Sequence, residues 1–304
     1  MHKKGLVLVL FTAIISGCSI FINSFGVAGF DSSVFTFSKN LVVAAMLAAL
    51  LLLFGKWEEV KRLSRRQWMK LALIGFVGGS IPFLLFFRGL QMTTGTTSAF
   101  LHKTLFIYAS VFALLFLKEK LSKGFIAGAC LLLAGNYLML GPSFDLSPGY
   151  LLIIGATVLW AAENAYARHT LSEMSGTIVA FGRMAFGSLF IFLFLLLAGK
   201  APQLALMSPQ QWEWIGVTSV FLLLYVYTFY NGLAAVKVST ATSILTLGAP
   251  ITTLLDFAFL GKPVTPDTAL GMLLIGAGVA SIFLYAWAAG SVVGAAGEKK
   301  QDLV

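Results

Sequence analysis

Six ionisable residues fall in stretches otherwise too apolar for water: Lys39, Arg88, Lys103, Arg183, Glu163 and Asp256. Each costs about 2.5–3.5 kcal/mol at the centre of a bilayer-crossing helix, so each is expected to face a cavity or a partner. At about 1.5 Å of rise per residue they can be sorted by depth. Glu163 and Arg183 come out at matched depth toward one face, and Lys39 and Asp256 at matched depth toward the other. Such couples act as structural ion pairs that hold helices together, or as gates on opposite faces broken in turn. Lys39 has the further option of snorkelling without a partner. Arg88 and Lys103 flank a hairpin at 92–95 and have no acidic residue at their depth. An unpaired cation in a cavity suits a carboxylate; for Arg88 the alternative is to cap carbonyls at a helix C-terminus.

Neutral polar residues fill out the candidate binding set. They include His102 beside Lys103, Tyr108, Asn164, Tyr227, Tyr230 and Asn231, with Asn23, Gln91, Thr97, Asn136 and Tyr225 near them. Tyr227 and Tyr230 are spaced to share one helix face. Residues of this kind join membrane helices as readily as they bind ligands.

The elements that must position these groups are ten apolar segments, each long enough to cross a bilayer core. They run over about 5–26, 34–54, 71–91, 96–117, 124–141, 148–168, 177–198, 212–233, 240–260 and 267–288. With the faces numbered alternately, one receives Lys3, Lys4, Lys56, Lys61, Arg62, Arg65, Arg66, Lys70, Lys118, Lys120, Lys123, Arg168, Lys237, Lys299 and Lys300. The other receives only Lys200 and Lys262. Basic residues beside spans stay in the cytoplasm, so both termini are expected there. Trp57, Trp68, Trp212, Trp214 and Trp287 fall at span ends, where an indole anchors at the interface.

Composition agrees with a membrane protein. Hydrophobic residues make up 59% of the chain and charged ones 11%, against about 25% charged in a soluble domain. The net charge of +9 is carried by the loops of one face, chiefly 56–70, and points to anionic headgroups rather than nucleic acid. Cys18 and Cys130 lie in separate spans and form neither a disulfide framework nor a metal site. Ile15-Ser16-Gly17-Cys18 resembles a lipoprotein signal, but the apolar helix runs on through Ser19, Ile20 and Phe21, so a retained span is expected. No nucleotide-binding loop, hydrolase elbow, metalloprotease motif or paired intramembrane carboxylate is present, so neither an enzyme nor a bound cofactor or metal is expected.

Offset by 143–144 residues, the two halves match. Gly5 falls on Gly149, Phe37 on Phe181, Lys39 on Arg183, and Phe86-x-x-Gly89-Leu90 on Phe229-x-x-Gly232-Leu233. Gly128 and Gly135 fall on Gly271 and Gly278. Five spans per repeat invert the second copy. The expected fold is therefore an all-α membrane protein of ten transmembrane helices in two inverted five-helix repeats, 5–141 and 148–288, with a disordered tail at 289–304. Inverted repeats place a solute site between the halves near the midplane. Gly75-x-x-x-Gly79 and Gly124-x-x-x-Gly128 predict close helix contacts, and Pro82 and Pro250 predict kinks that open backbone carbonyls.

On these residues the chain resembles the ten-helix EamA family of the drug/metabolite transporter superfamily. The basic residue early in the second helix of each repeat (Lys39, Arg183) and the F-x-x-G-L ending of each third helix carry the likeness. The first helix departs, with Ser16-Gly17 where that family often has Trp-Gly; Trp160-Ala161 in the second repeat is nearer. The resemblance implies export or exchange of small metabolites. With the buried cations it leads to a secondary transporter of small polar solutes, foremost amino acids or other carboxylates, in an inner membrane. Efflux of amphipathic or aromatic compounds or amines, and a channel-like facilitator, remain alternatives, and a homo-oligomer stays open.

Overall fold

In lipid, a chain must satisfy every backbone polar group internally, which long apolar runs do by forming helices. The computed structural model describes residues 2–26, 31–93, 95–142 and 147–301, and their side chains except at 95, 96 and 290–301. Among the described residues ten helices are long and apolar enough to cross a membrane. They are α1 (His2–Gly26), α2 (Ser32–Leu53), α3 (Arg65–Leu90), α4 (Gly95–Phe116), α5 (Lys123–Leu140), α6 (Pro148–Thr170), α7 (Gly176–Leu197), α8 (Pro209–Leu233), α9 (Val238–Leu260) and α10 (Pro266–Gln301). Each matches one expected segment. The largest offset at a helix start is at α3, where the Ser64–Gln67 capping box starts the helix inside the basic stretch. The backbone of α10 stays helical to Gln301, so the tail expected to be disordered from 289 is drawn as helix. No proline interrupts 289–301, so the backbone can continue the helix through it. Residues 302–304 of that tail lie outside the described residues.

Caps explain the other boundaries. Ser122, Ser147 and Ser208 accept a backbone N–H at the starts of α5, α6 and α8, and Asp31 does so for α2. Glycines with positive φ close α2 (Gly55), α5 (Gly141), α7 (Gly199) and α9 (Gly261). Lys118 closes α4 in the same left-handed conformation, at φ 54°, where its repeat mate is Gly261. For a residue with a Cβ this costs about 1–2 kcal/mol.

The helix ends fall into two sets, as alternating crossings require. On the first face, His2 bonds to the carbonyls of Ala235 and Ala286, and Lys70 pairs with Glu173. On the second, Lys200 pairs with Asp31 at 2.6 Å, and Phe25 stacks on Trp214. The start of α1 and the end of α10 therefore share the first face. Burial raises the Asp31 carboxyl, but the bonds from Lys200, Val34 and Ser33 outweigh it and hold Asp31 below its ordinary value. The bond from Lys70 holds Glu173 below its own.

The most extensive helix contacts join one half to the other, and they come in matched sets. α1 packs on α8 as α6 packs on α3; α1 on α9 as α6 on α4; α3 on α7 as α8 on α2. α2–α7 and α5–α10 map onto themselves. The repeat glycines are among the points of close approach. A Cβ on Gly5 would lie 3.1 Å from the Gly232 carbonyl oxygen, and one on Gly149, the mate of Gly5, would lie 3.0 Å from that of Gly89, the mate of Gly232. Gly128 meets Gly278 as Gly135 meets Gly271, each with a carbonyl oxygen within 2.9 Å of the missing Cβ. Gly75 and Gly79 admit the backbone of α7 in the same way. The matches seen along the sequence are thus the contact points of a pseudo-twofold pair.

Candidate functional site

Three spans are interrupted, and the interruptions build the interior. α3 breaks at Ser80 into α3a (Arg65–Gly79) and α3b (Ile81–Leu90). Pro82 has no N–H to give the Gly78 carbonyl one turn back, so that oxygen is released from the helix. Trp160 Nε1 (3.0 Å) and Arg183 Nη2 (2.9 Å) take it. Phe83 N–H turns to Ser80, and the Gly79 carbonyl accepts from Asn40 at 3.1 Å instead. Three helices, α2, α6 and α7, are thereby tied to one break.

α4 breaks at Thr104 into α4a (Gly95–Lys103) and α4b (Leu105–Phe116). Its mate α9 breaks at the equivalent place, where Leu245–Leu247 form a 3₁₀ turn between α9a (Val238–Ile244) and α9b (Gly248–Leu260). His102 and Lys103 occupy the last turn of α4a, where helix carbonyls favour a cation. The His102 ring lies 5.0 Å from that of Trp160 and 5.4 Å from that of Phe86. Phe83 also packs on Trp160, at 5.1 Å. Lys103 is half-buried and has no hydrogen-bond or ion-pair partner among the described residues. Asn164, one turn from Trp160 on α6, is buried and likewise has no side-chain partner there.

The expected ion pairs do not form. Glu163 accepts from the Tyr230 hydroxyl at 2.6 Å, while Arg183 spends a guanidinium nitrogen on Gly78 and leaves Nε unpartnered. The two are at matched depth, but the freed carbonyl captures the arginine and tyrosine captures the carboxylate. Gly78 itself packs on Glu163: a Cβ there would lie 2.4 Å from Glu163 Cγ. Lys39 bonds to Asn23 Oδ1 at 2.6 Å and lies over the Phe35 ring, while Asp256 pairs with Lys262 at 2.8 Å. Lys262 follows the end of α9 and reaches back along it, so Asp256 is satisfied locally.

Other candidates scatter. Arg88 is exposed in the last turn of α3b and donates to the Gln91 side-chain oxygen at 3.3 Å, not to a helix carbonyl. Tyr230 is 1% exposed but Tyr227 is 37% exposed, because three residues on a helix still differ by about 60° in direction. Asn231 bonds to the Tyr227 carbonyl and to Thr177 of α7, joining helices. Tyr108 is half-buried on α4b. Among the candidates, Glu163, Tyr230 and Arg183 gather around Gly78, and His102 packs on Trp160, which donates to the same Gly78 carbonyl; Lys39 bonds to Asn23 instead. The sequence reading missed the bonds of Trp160 to the Gly78 carbonyl and of Asn40 to the Gly79 carbonyl. Trp160 had a signal: it is the one tryptophan placed mid-span rather than at an end. Glu119 was also missed. Its carboxylate, an acid in a basic loop, accepts from Val238 N at 2.7 Å and from Ser239 Oγ at 2.7 Å, clasping the start of α9.

A cavity of about 460 Å³ opens between α3a, α4b and α6, lined mainly by Ile74, Val77, Phe112 and Tyr166, with Glu163 and His169 also on its wall. A polar pocket of about 290 Å³ adjoins it, sharing Leu117 and His169 and adding Glu119, Arg168, Ser172 and Lys237. Among the described residues no three His, Cys, Asp or Glu side chains group as metal ligands.

The EamA-like transporter family matches the chain twice, over residues 3–141 and 147–284. The chain belongs to that family. Its relatives include an uncharacterized transporter from the cobO 3′ region of Sinorhizobium sp, 33% identical over 115 residues, which are 36% of this chain and 81% of the relative. The uncharacterized transporter YyaM of Bacillus subtilis (strain 168) is 22% identical over 91% of this chain and 93% of its own. YetK of the same organism, likewise an uncharacterized transporter, is 26% identical over 72% and 69%. A solved crystal structure overlays 94% of this EamA-family chain and 100% of its own with a TM-score of 0.78 at 16% identity, which shows a shared fold. The protein is a multi-pass membrane transporter.

Proposed function

We propose that this EamA-family protein is a secondary transporter of small carboxylate-bearing solutes, amino acids foremost, that works by alternating access. The observation that carries the reading is Lys103. Lys103 is half-buried at the break of a spanning helix, next to His102, whose ring packs on Trp160, and it has no anion in contact among the described residues. A cation in a low-dielectric interior is costly without a counter-charge, and a solute carboxylate supplies one. Asn164 offers a neutral polar group on the adjoining helix. The matched breaks in α4 and α9 give each half a joint at the depth where the solute would bind. The excess of basic residues on the first face supports a cytoplasmic side for that face and both termini.

A thermal-shift screen of the purified protein against amino acids, organic acids and amines tests the solute class, since a ligand that binds the folded state raises its stability. We expect carboxylates to stabilise the wild type and Lys103→Ala to abolish the shift. Counterflow of the same solute into vesicles should disappear with it; unchanged counterflow would remove Lys103 from the site. The apolar lining of the 460 Å³ cavity favours a second reading, efflux of amphipathic or aromatic compounds. Stabilisation by aromatic amines that survives Lys103→Ala would select it.

A further inference from the structure

We propose that Glu163 is a proton-binding site that couples transport to a proton, loaded from the first face along His169 and Tyr166. The proposal rests on the transport reading but on different residues. Glu163, Tyr166 and His169 are spaced i, i+3, i+6 on α6, so they descend about 9 Å along the helix, each turned about 60° from the last. All three line the 460 Å³ cavity. His169, at the far end, is exposed and also lines the adjoining polar pocket, so the row leads from the protein surface to a carboxyl that is 3% exposed.

The two acids within spans differ in what meets them. Asp256 has Lys262 at 2.8 Å, whereas Glu163 has the Tyr230 hydroxyl and no cation within ion-pair distance among the described residues. The groups facing Glu163 can be taken helix by helix. α7 brings Arg183, held on the Gly78 carbonyl, and α8 brings Tyr230 and Tyr225. α3a brings only Gly78 and apolar side chains, α4b brings Phe112 and Phe116, and α4a packs His102 on Trp160. Glu163, Tyr166 and His169 are the polar groups on the cavity wall, so water between the phenol and the imidazole would find its partners along that row.

The step moves one proton. It enters from solvent onto His169, leaves His169 neutral as it passes on, and converts the Glu163 carboxylate to a carboxyl; no other bond changes. The Tyr230 hydrogen bond then loses its charge assistance, which about halves such a bond and loosens α8 from α6. Release of the proton restores it. A protonation cycle at Glu163 would therefore set how firmly α6 and α8, two helices of the second half, are held together.

Infrared difference spectra of the full chain in lipid, taken across a pH titration, read the carboxyl stretch directly. We expect one buried-carboxyl band that gains intensity on acidification, is deleted by Glu163→Gln, moves in Glu163→Asp and persists in Asp256→Asn. After a pH jump, His169→Ala should slow its rise tenfold or more while leaving its final intensity. A titrating band that survives Glu163→Gln, a wild type with no such band, or an unslowed rise in His169→Ala would each overturn the proposal. If the band behaves as expected while no carboxylate solute stabilises the protein, the solute reading fails and the proton site stands.

Discussion

Replacing Trp160 with Phe and Arg183 with Met strips the Gly78 carbonyl of its two donors one at a time. Either single change leaves the oxygen one partner, at 2.9 or 3.0 Å, so the cost is that of one bond, about 0.5–1.5 kcal/mol for the indole. The arginine alone is harder to sign, because its removal also relieves a buried guanidinium whose Nε has no partner. The double variant is different in kind: a buried carbonyl with Pro82 four residues on has no donor at all. That adds about 1–3 kcal/mol beyond the sum of the singles. Reversible unfolding in mixed micelles, run as a double-mutant cycle, measures the excess. In a Pro82→Ala background the helix regains an N–H for Gly78, and the excess should fall within about 0.5 kcal/mol of zero. Additive singles in the Pro82 protein would refute the idea that this carbonyl is freed by the proline and shared by two helices.

Three further outcomes are expected. Gly135→Ala should destabilise by about 1–3 kcal/mol, because its Cβ would meet the Gly271 oxygen at 2.7 Å, whereas Gly155→Ala, with open space around it, should stabilise by up to about 1 kcal/mol; thermal unfolding distinguishes them. The Asp31–Lys200 contribution is present above the ordinary carboxylate range and lost as pH falls through the depressed folded value. Wild type should therefore lose up to about 1 kcal/mol more than Lys200→Met between about pH 6 and pH 3 in the same unfolding assay. Glu119→Gln should cost about 0.5–2 kcal/mol by weakening the cap on α9, and Lys118→Gly should return about 1 kcal/mol by removing the Cβ from a left-handed residue; both are read from unfolding midpoints.

Depth was legible from the sequence and direction was not. Counting residues along apolar runs located all ten spans, and a search for matching glycines found the contact points of the two halves, since only glycine lets backbones come so near. Counting also put Glu163 level with Arg183. It could not foresee that Pro82 would free the Gly78 carbonyl and that this oxygen would compete for the guanidinium. The same limit separated Tyr227 from Tyr230 and left Arg88 outside the interior, because a helix pattern gives spacing along an axis but only a coarse bearing around it. Lys39 and Asp256 were matched in depth, yet each found a partner closer in the chain or on an adjacent helix. Trp160 was overlooked as a donor because indoles in membrane proteins are ordinarily read as interfacial anchors.

The interleaving of the halves bears on how the chain is made. Helices α1–α5 enter the bilayer with most of their packing partners still untranslated, and at about 5–20 residues per second the remainder takes on the order of ten seconds to arrive. During that interval the grooves beside Gly5, Gly89, Gly128 and Gly135 meet only lipid. Because the strongest contacts bridge the halves, the two pieces expressed from separate genes should find each other in the membrane and assemble without the 141–148 connection.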